Sequence, residues 1–178
     1  MSKGDGRHPV PIDRDMPSEL TSFGTPTSLG LSAIIIRLLI ALVCGSVVGF
    51  EREWRSHAAG LRTHILVCLS AAIVAILTIE ITKHSAFSSD AIRPDPIRLI
   101  EAVTAGVAFL AAGMIVFSKG EVKGLTTGAG LWLAGSIGLA CGLGFWQIGL
   151  IATLFAVCVL WLIRRLEHHI PLPPDDTD

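Results

Sequence analysis

Three ionisable side chains interrupt otherwise apolar stretches of this 178-residue chain: Arg37, Glu80 and Glu101. A charge surrounded by hydrocarbon is costly unless it meets a partner or water, so such residues either pair or line a polar path. Arg37 lies about six residues, some 9 Å along a helix, into the apolar run 31–50. Glu101 lies about four residues into the run 97–117, at a similar depth. An Arg37–Glu101 ion pair is therefore expected, with Glu80, near the end of the run 64–82, as the rival carboxylate. The alternative is that Arg37 snorkels outward to the headgroups along its flexible stem.

A second concentration of polar groups runs from Glu51 to His64 and holds Glu51, Arg52, Glu53, Arg55, His57, Arg62, Thr63 and His64. Opposite charges this dense can form an ion-pair cluster that fixes a loop, or present a binding patch to a partner. They are a poor match to a divalent cation, because two carboxylates fall short of the oxygen-rich shell a hard cation prefers. Ser56 beside His57 is adjacency without a third group to complete a triad. No Gly-rich phosphate loop appears, and His168-His169 read as a solvated tail. Cys44, Cys68, Cys141 and Cys158 all lie in apolar runs without metal-ligand spacing, which suits small residues at helix contacts. Neither an enzyme nor a bound metal or cofactor is expected.

The elements that position these groups follow from hydropathy. The chain is 51% hydrophobic and only 16% charged, with a mean hydropathy of +0.64. That composition belongs to a polytopic membrane protein, and a net charge of −1 gives no footprint for nucleic acid. A crossing needs about 20 apolar residues. The runs 31–50, 64–82 and 97–117 supply three. From Leu125 to Ile163 no residue is charged, and one helix of that length would reach about 58 Å. Gly142-Leu143-Gly144 divides it into two spans near 144. The expected fold is all-α, a transmembrane bundle of about five spans over 29–168, flanked by disordered tails at 1–28 and 169–178.

Arg52, Arg55, Arg62, Lys119, Lys123, Arg164 and Arg165 then fall on one side, which the positive-inside tendency makes cytoplasmic. The N-terminus is expected outside and the C-terminus inside. Within this topology the chain repeats itself. Residues 37–73 and 101–137 share 8 identities in 37 positions, among them Gly49 with Gly113, Gly60 with Gly124 and Thr63 with Thr127. The implied architecture is two parallel helical hairpins with a fifth span appended. Gly45 and Gly49 form a GxxxG, and Gly106, Gly113, Gly124, Gly128, Gly135, Gly138 and Gly142 mark further close contacts, within the bundle or in a homo-oligomer. Thr63 is expected to cap the second span, and Thr126 or Thr127 the fourth.

Several of these motifs occur together in one known family. Gly49-Phe50-Glu51-Arg52-Glu53, Ala59-Gly60-Leu61-Arg62-Thr63-His64, Asp95-Pro96-Ile97-Arg98, Gly106 to Gly113, and Gly124-Leu125-Thr126-Thr127 with Leu131-Trp132 resemble the membrane domain of the MgtC/SapB family. The resemblance spans roughly 31–166. It implies a bacterial inner-membrane protein linked to magnesium homeostasis, acting by restraining other membrane proteins, the ATP synthase among them, rather than by carrying magnesium. Glu101 departs from the family pattern, where an uncharged residue is usual, as do Val107-Ala108 and Ala111. A shorter member lacking the C-terminal cytoplasmic domain is expected. The competing reading is a magnesium transporter or channel, formed as an oligomer, with Arg37, Glu80 and Glu101 in an outer vestibule.

Overall fold

The computed structural model describes residues 26–54, 58–84, 95–118 and 121–167. Expectations for both tails, for Arg55 to His57, for Lys119 and for His168-His169 fall outside these residues, except that residues 26–28 are described.

Five helices carry the fold: α1 (Leu31–Glu53), α2 (Leu61–Lys83), α3 (Pro96–Gly113), α4 (Leu125–Leu143) and α5 (Trp146–Glu167). By length and composition α1, α2 and α4 can each cross a membrane, and 100–113 and 146–162 are shorter apolar helical stretches. The expected division near 144 is where α4 stops: Gly144 adopts a left-handed φ of +95° and α5 begins two residues later. The third span ends earlier than expected. Phe117 lies in β1 (Val116–Ser118), which pairs antiparallel with β2 (Glu121–Lys123), so a small hairpin replaces the last helical turn and the expected loop. Gly124 follows with a φ of +88°, and a Cβ there would collide with the Met114 carbonyl oxygen. Only glycine closes that turn without strain.

Neighbouring positions give the helix directions. Gly49, near the end of α1, sits over Leu61 and His64 at the start of α2. Gly135 of α4 lies against Val107, and Gly128 against the Ala111 carbonyl. Gly138 and Gly142 of α4 press on the backbone of α2 at Cys68 and Ala72, so those two helices run the same way. The hairpins α1–α2 and α3–α4 are thus parallel. They are unequal in burial: Ala41 is fully buried in the core with Cys44, Val48, Cys68, Ala72, Ile137 and Cys141, whereas its repeat mate Ala105 is exposed.

Glycine makes this packing work. Apolar helices in lipid gain nothing from hydrophobic association with each other, so close backbone approach supplies the attraction. At Gly45 an added Cβ would lie 3.0 Å from Cys68 Cβ, and at Gly49 2.9 Å from Leu61 Cα. Gly106 and Gly113 behave otherwise. Nothing lies within 4 Å of an added Cβ at either, because α3 occupies the edge and touches α2 and α4 through other residues, such as Val103 and Val107. Of the two expected roles, contact within the bundle or in a homo-oligomer, these two glycines do not serve the first. Several helix hydroxyls, those of Ser46, Thr78, Thr104, Ser136 and Thr153, bond back to a carbonyl of their own helix, Thr153 Oγ1 to that of Gly149 at 2.8 Å, and are satisfied without water.

Gly138→Ala should destabilise the purified protein by about 1–3 kcal/mol, through overpacking against α2. Gly106→Ala should be neutral or stabilise by up to about 1 kcal/mol, the helix-propensity gain. Unfolding in detergent measures both, and equal effects would contradict the packing described.

Candidate functional site

The polar groups gather at the two ends of the bundle. At one end the last turn of α1 carries Glu51, Arg52 and Glu53. Arg52 is 4% exposed, enclosed between α1 and the start of α4. Its Nη2 donates to the Thr126 carbonyl at 3.0 Å, and its Nε lies 4.0 Å from Glu51 Oε2. One guanidinium thereby joins α1 to α4 while its charge is balanced from its own helix. Planar, multiply donating Arg suits this better than Lys.

His64 sits beside it, fully buried. Its Nδ1 lies 2.9 Å from the Gly60 carbonyl oxygen, which can only accept, so Nδ1 carries the proton. Its Nε2 is buried without a hydrogen-bond partner among the described residues. Gly130 makes room for both groups: an added Cβ would lie 3.3 Å from His64 Nε2 and 3.5 Å from Arg52 Nη2. Glu53 completes this end differently. Its Oε2 accepts from the Leu61 N–H at 2.9 Å and so caps α2 from across the α1–α2 connection.

Glu53 overturns the expected caps. The helix starts at Leu61, which puts Thr63 inside the first turn, and the N-cap position falls to Gly60. Likewise Gly124 precedes α4, which has no side-chain cap bond. Thr126 contributes its carbonyl rather than its hydroxyl, and Thr127 is buried. Arg62 is exposed. At α3 an N-cap side chain that was not among the expected caps does bind: Asp95 accepts from the Ile97 N–H at 3.0 Å with Pro96 in the first turn.

The other end corrects the expected charge cluster. Arg37 Nη1 donates to the Gly142 carbonyl at 2.8 Å, in the last turn of α4. A cation there meets both an orphan carbonyl and the negative end of the helix dipole. Gly144 stands under the same guanidinium, where an added Cβ would lie 2.8 Å from Nη2. Glu80 instead accepts from the Ser28 and Leu29 N–H groups at 2.6 and 2.9 Å, tying the lead-in of α1 to the end of α2. Glu101 is exposed on α3. Among the described residues these three form no ion pair, because Arg37 and Glu80 bind backbone groups and Glu101 is exposed on α3. Backbone acceptors such as Gly142, and the space at Gly130, were invisible to a search for charged side chains. The close Gly128-Ala129-Gly130 pair was the only signal for the latter.

Around both ends the helices present a wide apolar surface, with Phe109 83% and Trp54 76% exposed. Such a surface is stable only against lipid or another apolar body. A helical bundle clad in this way, its buried charges confined to the helix ends, is a polytopic membrane protein. The chain belongs to the MgtC family, whose family model matches residues 38–169. Protein MgtC of Salmonella typhimurium is 37% identical over 136 residues, 76% of this chain and 54% of that protein. Protein SrpB of Synechococcus elongatus is 36% identical over 149 residues, 79% of this chain and 78% of its own length. YhiD of Escherichia coli, provisionally named a magnesium transporter, is 33% identical over 136 residues, 76% of this chain and 63% of that protein. The chain thus spans about half the length of Salmonella MgtC. No solved structure matches.

Arg52→Ala should cost about 3–5 kcal/mol, since it strands a buried carboxylate and carbonyl together. Arg37→Ala should cost less, about 1–2 kcal/mol, the scale of a cation at a helix C-terminus. Arg52→Lys should recover only part of the loss. Denaturant unfolding of the three variants in detergent checks the order.

Proposed function

We propose that this protein is a regulatory component of a bacterial inner membrane, linked to magnesium homeostasis, which works by docking against other membrane proteins. The observation that supports this most is the packing of α2 on α4: Gly138 and Gly142 lie directly on the α2 backbone at Cys68 and Ala72. Magnesium sheds water reluctantly and crosses proteins through roomy, oxygen-lined paths. A seam closed by backbone contact suits a rigid docking body better. The magnesium link rests on family membership and on the name of YhiD.

The docking end in this reading is the Arg52 end, and the positive-inside tendency makes it cytoplasmic. There the buried Arg52 and His64, with the half-buried Glu51, hold the helices in register, while Glu53, Trp54 and Arg62 face outward beside Phe50, whose ring centroid is 5.9 Å from that of Trp54. Rigid aromatics with flanking charges are the usual anchors of protein interfaces. The ATP synthase is one partner the family resemblance suggests. The second reading, a magnesium transporter assembled from several copies, is favoured by the openness of Gly106 and Gly113, which leaves α3 available to another chain.

Two measurements separate these readings. A photo-crosslinker at Trp54 or Arg62 should capture a defined membrane protein in cells, and the yield should fall with Phe50→Ala. Proteoliposomes holding the purified protein should show no magnesium uptake above empty vesicles. Uptake that is lost in Glu101→Gln would overturn the regulatory reading. Cysteines placed at Arg62 and Asp95 should label from the cytoplasmic and the outer side respectively.

A further inference from the structure

Helix α3 turns one face inward and leaves the other uncovered. Ile100, Val103 and Val107 pack against α2 and α4, whereas Arg98, Glu101, Ala105, Ala108 and Ala112 are all exposed. The exposed five recur at alternating steps of three and four, the period of a seam along which two helices coil. Two of them carry opposite charge. Arg98 and Glu101 lie one turn apart on the same side of α3, yet among the described residues neither has a hydrogen-bond or ion-pair partner. Ile100 and Val103 pack with Leu139 and Leu143, so Glu101 stands level with the last turn of α4 and not beyond the bundle. A carboxylate and a cation at that depth are costly on a surface that faces lipid, and a partner of opposite charge removes the cost.

Self-complementarity selects that partner. Copies of one chain insert in the same direction, so across a two-fold axis along the membrane normal identical residues lie at identical depth. Arg98 of one copy is then offset from Glu101 of the other by three residues, about 4.5 Å along the axis, which an arginine side chain spans. Symmetry makes the pairing twice, and two cations and two carboxylates close into a neutral ring. An unrelated helix would have to carry both charges at that depth in the reverse arrangement, whereas a second copy carries them by construction. The rest of the seam is alanine, which lets two backbones approach closely. Phe109, 83% exposed beside the seam, finds small side chains opposite it, at Ala105 and Ala108 of the second copy.

We propose that the protein forms a parallel homodimer through α3, in which Arg98 and Glu101 of each copy pair with Glu101 and Arg98 of the other, next to a contact between alanines. The interface is independent of whether the protein docks on other membrane proteins or passes magnesium.

The full chain, carrying one fluorophore and reconstituted into liposomes at low density, tests this by single-molecule photobleaching. Two-step bleaching should dominate. Arg98→Glu and Glu101→Arg should each lower the association constant about tenfold, since each brings four like charges together. The combined swap Arg98→Glu/Glu101→Arg should restore it. Both positions are exposed in the single chain, so the unfolding of each variant monomer should match the parent, and recovery in the swap separates pairing from general damage. Cysteines at Ala105 or Ala112, in a Cys158→Ser background that removes the exposed native thiol, should cross-link two copies on oxidation. Leu110→Cys, in the groove between α2 and α3, should not. Single-step bleaching at every density, a dimer indifferent to both reversals, a swap that restores nothing, or cross-linking through Leu110→Cys alone would overturn the proposal.

Discussion

The bundle depends on one contact, the direct approach of α4 to α2. Helices in hydrocarbon have no hydrophobic reason to associate, and dispersion falls away steeply with distance, so attraction must come from surfaces that fit closely. Gly138 and Gly142 provide that by resting on the α2 backbone at Cys68 and Ala72. Gly45 and Gly49 repeat the device between α1 and α2. The core that results is built mainly from small residues, Ala41, Cys44, Cys68, Ala72 and Cys141, with Val48 and Ile137 as its larger members. Many of the other bulky residues point outward, where the solvent is lipid.

Close packing of smooth helices leaves them free to slide, and the polar groups remove that freedom at both ends. Arg52 reaches from α1 to the first turn of α4, and Arg37 reaches from α1 to the last turn of α4. The two arginines lie about 22 Å apart along one helix, so between them they fix both the register and the rotation of α1 on α4. Glu53 and Glu80 do the same for α2, one binding the N–H of Leu61 and the other the lead-in to α1. All four charges end on backbone groups. Arg37, Glu53 and Glu80 each meet backbone groups at a helix end whose dipole suits their sign, whereas Arg52, at the first turn of α4, has its charge balanced by Glu51.

Seen against these locks, the internal repeat is a shared plan with divided labour. Gly60 and Gly124 occupy the same repeat position, but Gly60 precedes its helix at a φ of −104° whereas Gly124 needs +88°. Gly49 meets a neighbouring helix and Gly113 meets none. Arg37 clamps α4 and its mate Glu101 faces outward. The first hairpin packs closely through Gly45 and Gly49, and the second contributes α4 to the core while holding α3 at the edge. At the Arg52 end, where both hairpins and α5 meet, buried charge and exposed aromatics lie together.

The helices, the division at Gly144, the parallel pairing of hairpins and the family were all legible along the chain. Each of these follows from local hydropathy, from glycine or from motif order, properties that a linear string carries. The glycines of α4 were legible as contact points for the same reason. Only the tertiary structure decided which group each charge meets. Equal depth and opposite sign pointed Arg37 toward Glu101, but side-chain partners compete with every orphan carbonyl at a helix end, and all residues carry one. Which carbonyl lies within 3 Å depends on how α1 and α4 are rotated about each other, and that rotation is set by the glycine contacts far from either arginine. The threonine caps failed on a similar ground: a helix that begins three residues earlier turns a capping hydroxyl into an interior one, and Glu53, distant in sequence and adjacent in space, caps α2 instead.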